Sequence, residues 1–354
     1  MGKKKKIVVG ISLGDLNGVG SEIILKTFQD ARMFDFCTPV VFGNTKLLSH
    51  YKKLYETEVS VHGIDHLKSV VHQKFNVLNV WKESVKVSLG EEDKTAGAYA
   101  IKSLKAAVKA LKESRIDVLV TAPIHKSNVQ SESFQFPGHT DYLAQELEGD
   151  SLMLMIAGPL RVGLLTDHVA VKDVPSQITK ERIHKKINTI HKTLKEDFRI
   201  RTPKIAVLGI NPHTGDNGVI GKEDDEVLRP ALDELRKSDK IVLGPYAADS
   251  FFGSGNYKNF DAIIASYHDQ GLIPFKTLSF GKGVNYTAGL NKIRTSPDHG
   301  TAFDVAGKNK ANPESFKEAV FAAIEIYKAR KEYQKISKNV LPLSRKKPHS
   351  KKRS

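Results

Sequence analysis

The chain reads as an α/β protein, mostly parallel β-sheet flanked by helices, on three observations. Short β-branched runs alternate with longer segments of helical periodicity, which is the order a parallel sheet with crossover helices requires. The runs are almost continuously apolar, as strands covered on both faces are. A length of 354 residues with 40% hydrophobic content is enough for a large core, in one domain or two.

The expected strands are KIVVGISL (Lys6–Leu13), PVVFGN (Pro39–Asn44), DVLVTAP (Asp117–Pro123), RVGLLTDH (Arg161–His168), KIAVLGINPH (Lys204–His213) and DAIIASYHD (Asp261–Asp269). None shows the strict alternation of a half-exposed strand. Between them, AGAYAIKSLKAAVKALKES, KERIHKKINTIHKTLKED and EDDEVLRPALDELRKSD repeat apolar residues at helical spacing. The first turn, SLGDLNGVGSE (Ser12–Glu22), is glycine-rich, but Gly14, Gly18 and Gly20 match neither the dinucleotide fingerprint nor the P-loop. A tight turn into a helix capped near Ser21–Glu22 is the expectation.

Composition excludes several classes. The single cysteine, Cys37, allows no intrachain disulfide and no thiolate metal cluster, which fits a reducing compartment. The basic start is followed by an apolar run that breaks at Gly14–Asp15, too soon for a signal peptide, and no apolar stretch approaches the roughly 20 residues of a membrane span. A cytoplasmic protein is expected. The net charge of +15 sits at the ends: Lys3 to Lys6 carry +4 and residues 331–354 a net +8, so the body is nearly balanced. The tail, 336–354, has too few apolar residues to offset the entropy of ordering and is expected to be disordered; nothing in it reads nucleic-acid bases.

Three expected strands end on histidine: His168, His213 and His268. In open α/β sheets ligands gather at strand ends, and three imidazoles from separate strands could converge on one divalent ion with positions left for substrate. Lys276, Lys282, Asn285 and Arg294 follow, and FPGHTDYLA supplies His139 and Thr140. Several fixed cations and donors together suggest a pocket for a small anionic, hydroxyl-bearing substrate.

The segments GDLNGVGSEI, DVLVTAPIHK, FPGHTDYLA, GINPHTGDNGVIGKEDDEVLRPAL, GPYAADSFF, ASYHDQGLIPFK and NKIRTSPDHGTAFDVAG, in this order, resemble the 4-hydroxythreonine-4-phosphate dehydrogenase family of vitamin B6 biosynthesis. YHDQG, NPHTGD and RTSPDHGTA are the most specific, and the resemblance runs from about residue 7 to 330. DHGTAFDVAGKNKANP is also similar to the adenosine-binding segment of isocitrate and isopropylmalate dehydrogenases.

The resemblance implies a two-domain architecture of that dehydrogenase type with the active site in the interdomain cleft. The expected division is 1–127 plus 285–335 on the cofactor side and 128–284 for metal, substrate and dimerisation. It further implies a divalent metal (zinc, magnesium or cobalt) on His168, His213 and His268, and substrate contacts from His139, Thr140, Lys276, Asn285 and Arg294. Lys276 and His268 are the expected catalytic residues, and NAD would lie along Asp298, Gly300, Thr301 and Ala302. The expected assembly is a homodimer with a shared site, acting on a small phosphorylated amino acid. The implied reaction oxidises 4-phosphohydroxy-L-threonine to a β-keto acid that loses CO₂.

The first turn departs from the family pattern by carrying Leu16, Asn17 and Ser21 where prolines are usual, and TDHVAV stands for a TTHLPL-like stretch. Two other readings differ in what they predict. A sister dehydrogenase for phosphothreonate or a cyclic diol carboxylate would keep the metal and cofactor residues. A polyanion-binding protein would lose its function with residues 335–354, whereas an enzyme would not.

Overall fold

The structure is a computed structural model that describes residues 6–338, apart from 133, 137 and 239. The expected disordered tail lies outside the described residues except for its first three, of which Ile336 and Ser337 still belong to the helix Glu314–Ser337.

Twelve strands form one sheet: β1 (Ile7–Ser12), β2 (Cys37–Gly43), β3 (Val61–Ile64), β4 (Phe75–Asn79), β5 (Val118–Thr121), β6 (Gly149–Ala157), β7 (Leu160–Leu164), β8 (Lys204–Leu208), β9 (Ile241–Tyr246), β10 (Ala262–Ala265), β11 (Val284–Leu290) and β12 (Arg294–Pro297). Their order is β3-β4-β2-β1-β5-β12-β11-β6-β7-β10-β8-β9. The two flanks are parallel, whereas β12, β11, β6 and β7 pair antiparallel through the middle. All six expected strands and all three expected helices exist. The remaining strands were not expected, and β11 and β12 matter most because they floor the site.

The alternation of β11 explains its position. Tyr286 and Ala288 are fully buried on one side, where the helices Lys180–Phe198 and Glu314–Ser337 pack. Asn285 and Thr287 point to the other. No described helix is long and apolar enough to cross a membrane.

The three histidine-terminated strands stop earlier than expected, β7 at Leu164, β8 at Leu208 and β10 at Ala265, and for the last two the causes are visible. β8 ends at Leu208 because the next donors are captured: Ile210 N–H and Asn211 N–H both donate to the fully buried carboxylate of Asp224 (2.8 and 2.9 Å). β10 ends at Ala265 because Ser266 N–H donates to the side chain of Gln270 (2.7 Å), whose amide donates on to Gly209 O (2.7 Å). Gln270 of YHDQG therefore ties the ends of β8 and β10 together. His268 opens the helix His268–Ser279 instead of closing a strand.

The first turn differs too. The helix begins at Gly20 with no side-chain cap, and Ser21 Oγ is buried without a partner. Val19 N–H is taken by Thr301 O (3.0 Å), so the turn is held from outside.

Candidate active site

A cavity of about 250 Å³ lies on the face of the central antiparallel strands. Its floor is laid in cross-strand rows: Met155 of β6 pairs with Asn285 of β11, which pairs with Ser296 of β12, and all three line the cavity. Because side chains alternate along a strand, the next residues on the same face are Met153, Thr287 and Arg294. One wall is the helix His268–Ser279, which presents His268, Leu272 and Lys276 four residues apart on a single stripe.

The opposite wall is the start of the helix His139–Glu146. His139, Thr140 and Asp141 are consecutive and all line the cavity, so this helix meets it end-on. No side chain caps that end, leaving backbone N–H groups and the positive end of the helix dipole directed to the cavity.

Arg294 fixes the character of this pole. It is 2% exposed, and among the described residues its guanidinium donates only to hydroxyls: Thr121 Oγ1 at 2.6 and 3.1 Å, and Thr287 Oγ1 at 3.1 Å. Burial alone pulls its pKa down from 12.5 to about 9, with no acid near enough to reverse the shift, so it remains charged at neutral pH. A buried charge without a counter-ion is costly unless a ligand supplies one. His139 beside it is held well below 6.5, first by burial and then by Arg294, and is a neutral imidazole.

Three buried polar atoms without a protein partner face this same cavity: His139 Nε2, Asn285 Oδ1 and His299 Nε2. Buried polar atoms are rarely left unpaired, so their concentration here marks a ligand site.

At the other pole, His168 and His268 stand with ring centroids 6.0 Å apart. Metal–nitrogen bonds of about 2.0–2.1 Å put the centroids of two rings on one tetrahedral ion roughly 5 Å apart, so the pair stands within about 1 Å of the separation a shared ion needs. Asp269 Oδ1 lies 2.7 Å from His268 Nδ1, which directs Nε2 outward as a ligand, the usual arrangement behind a metal-bound histidine. His168 is held below its ordinary pKa by burial and by Lys126, favouring the neutral form that binds metal.

His213 is not in this cavity. It sits in a loop where His213, Thr214, Gly215, Asp216, Asn217 and Gly218 all have positive φ, braced by Arg229 on Thr214 Oγ1 (3.0 Å). Four non-glycine residues in the left-handed region cost about 1–2 kcal/mol each, and such strain concentrates at functional loops. Among the described residues, no three metal-capable side chains are gathered.

Of the expected cofactor residues, Asp298 and Gly300 line the cavity, and Gly300 has open space where a side chain would be. Thr301 and Ala302 lie just outside it, Thr301 against the first turn, with Gly18 so close that a Cβ there would come within 2.9 Å of Thr301 O. Sequence reasoning missed Lys126, Asp141, His299 and Ser296. His299 and Ser296 lay inside RTSPDHGTA, whose density of polar residues after a strand was the available signal.

The family model described as "Pyridoxal phosphate biosynthetic protein PdxA" matches residues 35–323. The 4-hydroxythreonine-4-phosphate dehydrogenase of Bacteroides thetaiotaomicron is 45% identical over 330 residues, 93% of this chain and 91% of that protein. A relative from Oceanobacillus iheyensis named for D-threonate 4-phosphate is 37% identical, covering 91% of this chain and 98% of its own. The crystal structure of the Klebsiella pneumoniae 4-hydroxythreonine-4-phosphate dehydrogenase superposes with a TM-score of 0.79 at 31% identity, covering 92% of this chain and 99% of that one.

Proposed function

Since the chain belongs to the PdxA family of pyridoxal phosphate biosynthetic proteins, we propose that it is the dehydrogenase its relatives are named for, oxidising 4-phosphohydroxy-L-threonine in the cytoplasm with NAD and a divalent ion. The observation that carries this reading is Arg294: a buried guanidinium with hydroxyl partners only, beside an uncapped helix end and the neutral His139. That combination suits a phosphate monoester, which brings the missing negative charge and accepts from Arg294, Asn285 and the helix N–H groups.

His168 and His268 would hold the ion. Such an ion would supply a lowered pKa at the substrate hydroxyl, and a nicotinamide would supply the hydride acceptor. The chain's own work is to fix the phosphate at one pole and so set the carbinol carbon beside the histidines, a positioning effect. Lys276, one turn beyond Leu272 on the same stripe, reaches the cavity with no hydrogen-bond or ion-pair partner among the described residues, and can bind or exchange a proton with the oxidised substrate. Asp298 to Ala302 form the cofactor side, and the chain divides into the halves 1–127 plus 285–335 and 128–284 around the cavity.

His213 completes the ion's ligands from a second copy of the chain. Val171, Val219, Ile220 and Ile273 support this dimer: each is 46–82% exposed, and they follow His168, His213 and His268 in sequence. Apolar side chains so placed beside all three histidines are suited to burial between subunits.

The test is formation of reduced nicotinamide by purified protein with 4-phosphohydroxy-L-threonine, with and without chelator and re-added Zn²⁺ or Mg²⁺. Chelator-sensitive, NAD-dependent turnover is expected. Faster turnover of threonate 4-phosphate would move the assignment to the reading favoured by the Oceanobacillus iheyensis relative.

A further inference from the structure

The glycine-rich first turn matches neither phosphate-binding motif, and it is fastened to the turn after β5. Asp15 N–H donates to Pro123 O (2.9 Å), and Asp15 Oδ2 accepts from Asn128 Nδ2 (3.0 Å). Gly14, at φ +71°, lies so close that a Cβ would come within 2.2 Å of Pro123 O; from the other side, a Cβ on Gly97 would come within 2.2 Å of Asn128 O. Residues 123–128 are therefore clamped between two chain segments. Lys126 is the residue this clamp presents to the cavity.

Lys126 stands at the histidine pole, where its charge acts on His168, and its ammonium has no hydrogen-bond or ion-pair partner among the described residues. The dehydrogenase reading, on which this inference rests, gives the substrate a second anion at the end remote from its phosphate. With the phosphate on Arg294 and the carbinol carbon at the histidines, that carboxylate extends past the histidine pole. We propose that Lys126 is a specificity-determining residue that binds the substrate's carboxylate, and that the Asp15–Asn128 clamp positions it. The first turn thus acts on catalysis through a pedestal.

The test compares 4-phosphohydroxy-L-threonine with its analogue carrying hydrogen in place of the carboxylate, in the wild type, Lys126→Met and Lys126→Arg. A charge-assisted hydrogen bond is worth about 10- to 100-fold, so wild-type kcat/KM should favour the carboxylated substrate by that factor. Lys126→Met should collapse the ratio towards one, mainly through the carboxylated substrate, and Lys126→Arg should restore part of it. Inorganic phosphate binding by Lys126→Met, measured calorimetrically, should match wild type and so show an intact phosphate pole. An equal fall on both substrates, or a ratio that collapses in Lys276→Met and not in Lys126→Met, overturns the assignment of Lys126 alone. A wild type inactive on both substrates overturns the dehydrogenase reading itself.

Discussion

Two largely buried arginines press on opposite faces of β11, and they are wired in opposite ways. Arg330 meets Asp197 through a forked pair (2.7 and 2.9 Å), with Tyr286 OH bonded to both (2.9 Å to the guanidinium, 2.6 Å to the carboxylate). Burial works against its charge, and Tyr286 and Asp197 more than reverse the effect. Arg294, across the strand, has three donor contacts and no acid. A guanidinium whose counter-ion is built into the chain locks two helices to the sheet; one whose counter-ion is left out waits for a ligand. Burial alone would have classed them together, and partner chemistry separates structure from function.

The sharpest way to break this contrast is to remove each charge and read both activity and stability. Arg294→Met should lower kcat/KM by about 10³-fold, the order expected when a buried charge contact to a substrate is lost. Its melting temperature should hold or rise, because an unpaired buried charge has been replaced by an apolar chain of similar length. A clear fall in melting temperature would show that Arg294 is structural after all. Arg330→Met should do the reverse. Leaving Asp197 buried with only the Tyr286 hydroxyl as partner should cost about 3–5 kcal/mol in urea unfolding, with inorganic phosphate still bound by the protein that remains folded.

A smaller effect tests whether the clamp behind the cavity is as rigid as its packing suggests. Gly14→Ala places a methyl group in the left-handed region and against Pro123 O, and should destabilise by about 2 kcal/mol or more in thermal unfolding. Near-wild-type stability would mean that the turns of Gly14 and Pro123 move independently.

The same contrast explains what could be read from the sequence. The flanking strands were legible because a parallel strand buried on both faces is nearly continuous apolar sequence, as in KIVVGISL and DAIIASYHD. β11 and β12 were not: VNYTAGL and RTSP spend one face on Asn285, Thr287, Arg294 and Ser296, and those polar side chains erase the apolar signal that identifies a strand. Function hides the strand that carries it. His139, Thr140, His168, His268, Lys276, Asn285, Arg294, Asp298 and Gly300 do share one cavity. Lys126 was passed over because what distinguishes it, a clamp built from Gly14, Asp15, Gly97 and Asn128, is assembled from separate segments, Asp15 and Asn128 being 113 positions apart in the chain.

His139 gives the smallest and most specific test, since it shares the Arg294 pole. Its folded pKa lies well below 6.5, so the unfolded chain binds a proton there that the folded chain refuses. The corresponding stability is complete above about pH 6.5 and is lost as pH falls below that value, until the folded imidazole itself protonates. Urea midpoints at pH 7.5 and 5.5 should therefore differ more for wild type than for His139→Gln. Arg294→Met should fall between them, because burial, the larger cause, remains while the neighbouring charge is gone. An unchanged pH difference in His139→Gln would mean that another group supplies the acid sensitivity, and the description of this pole as an enclosed neutral imidazole beside an unpaired cation would fail.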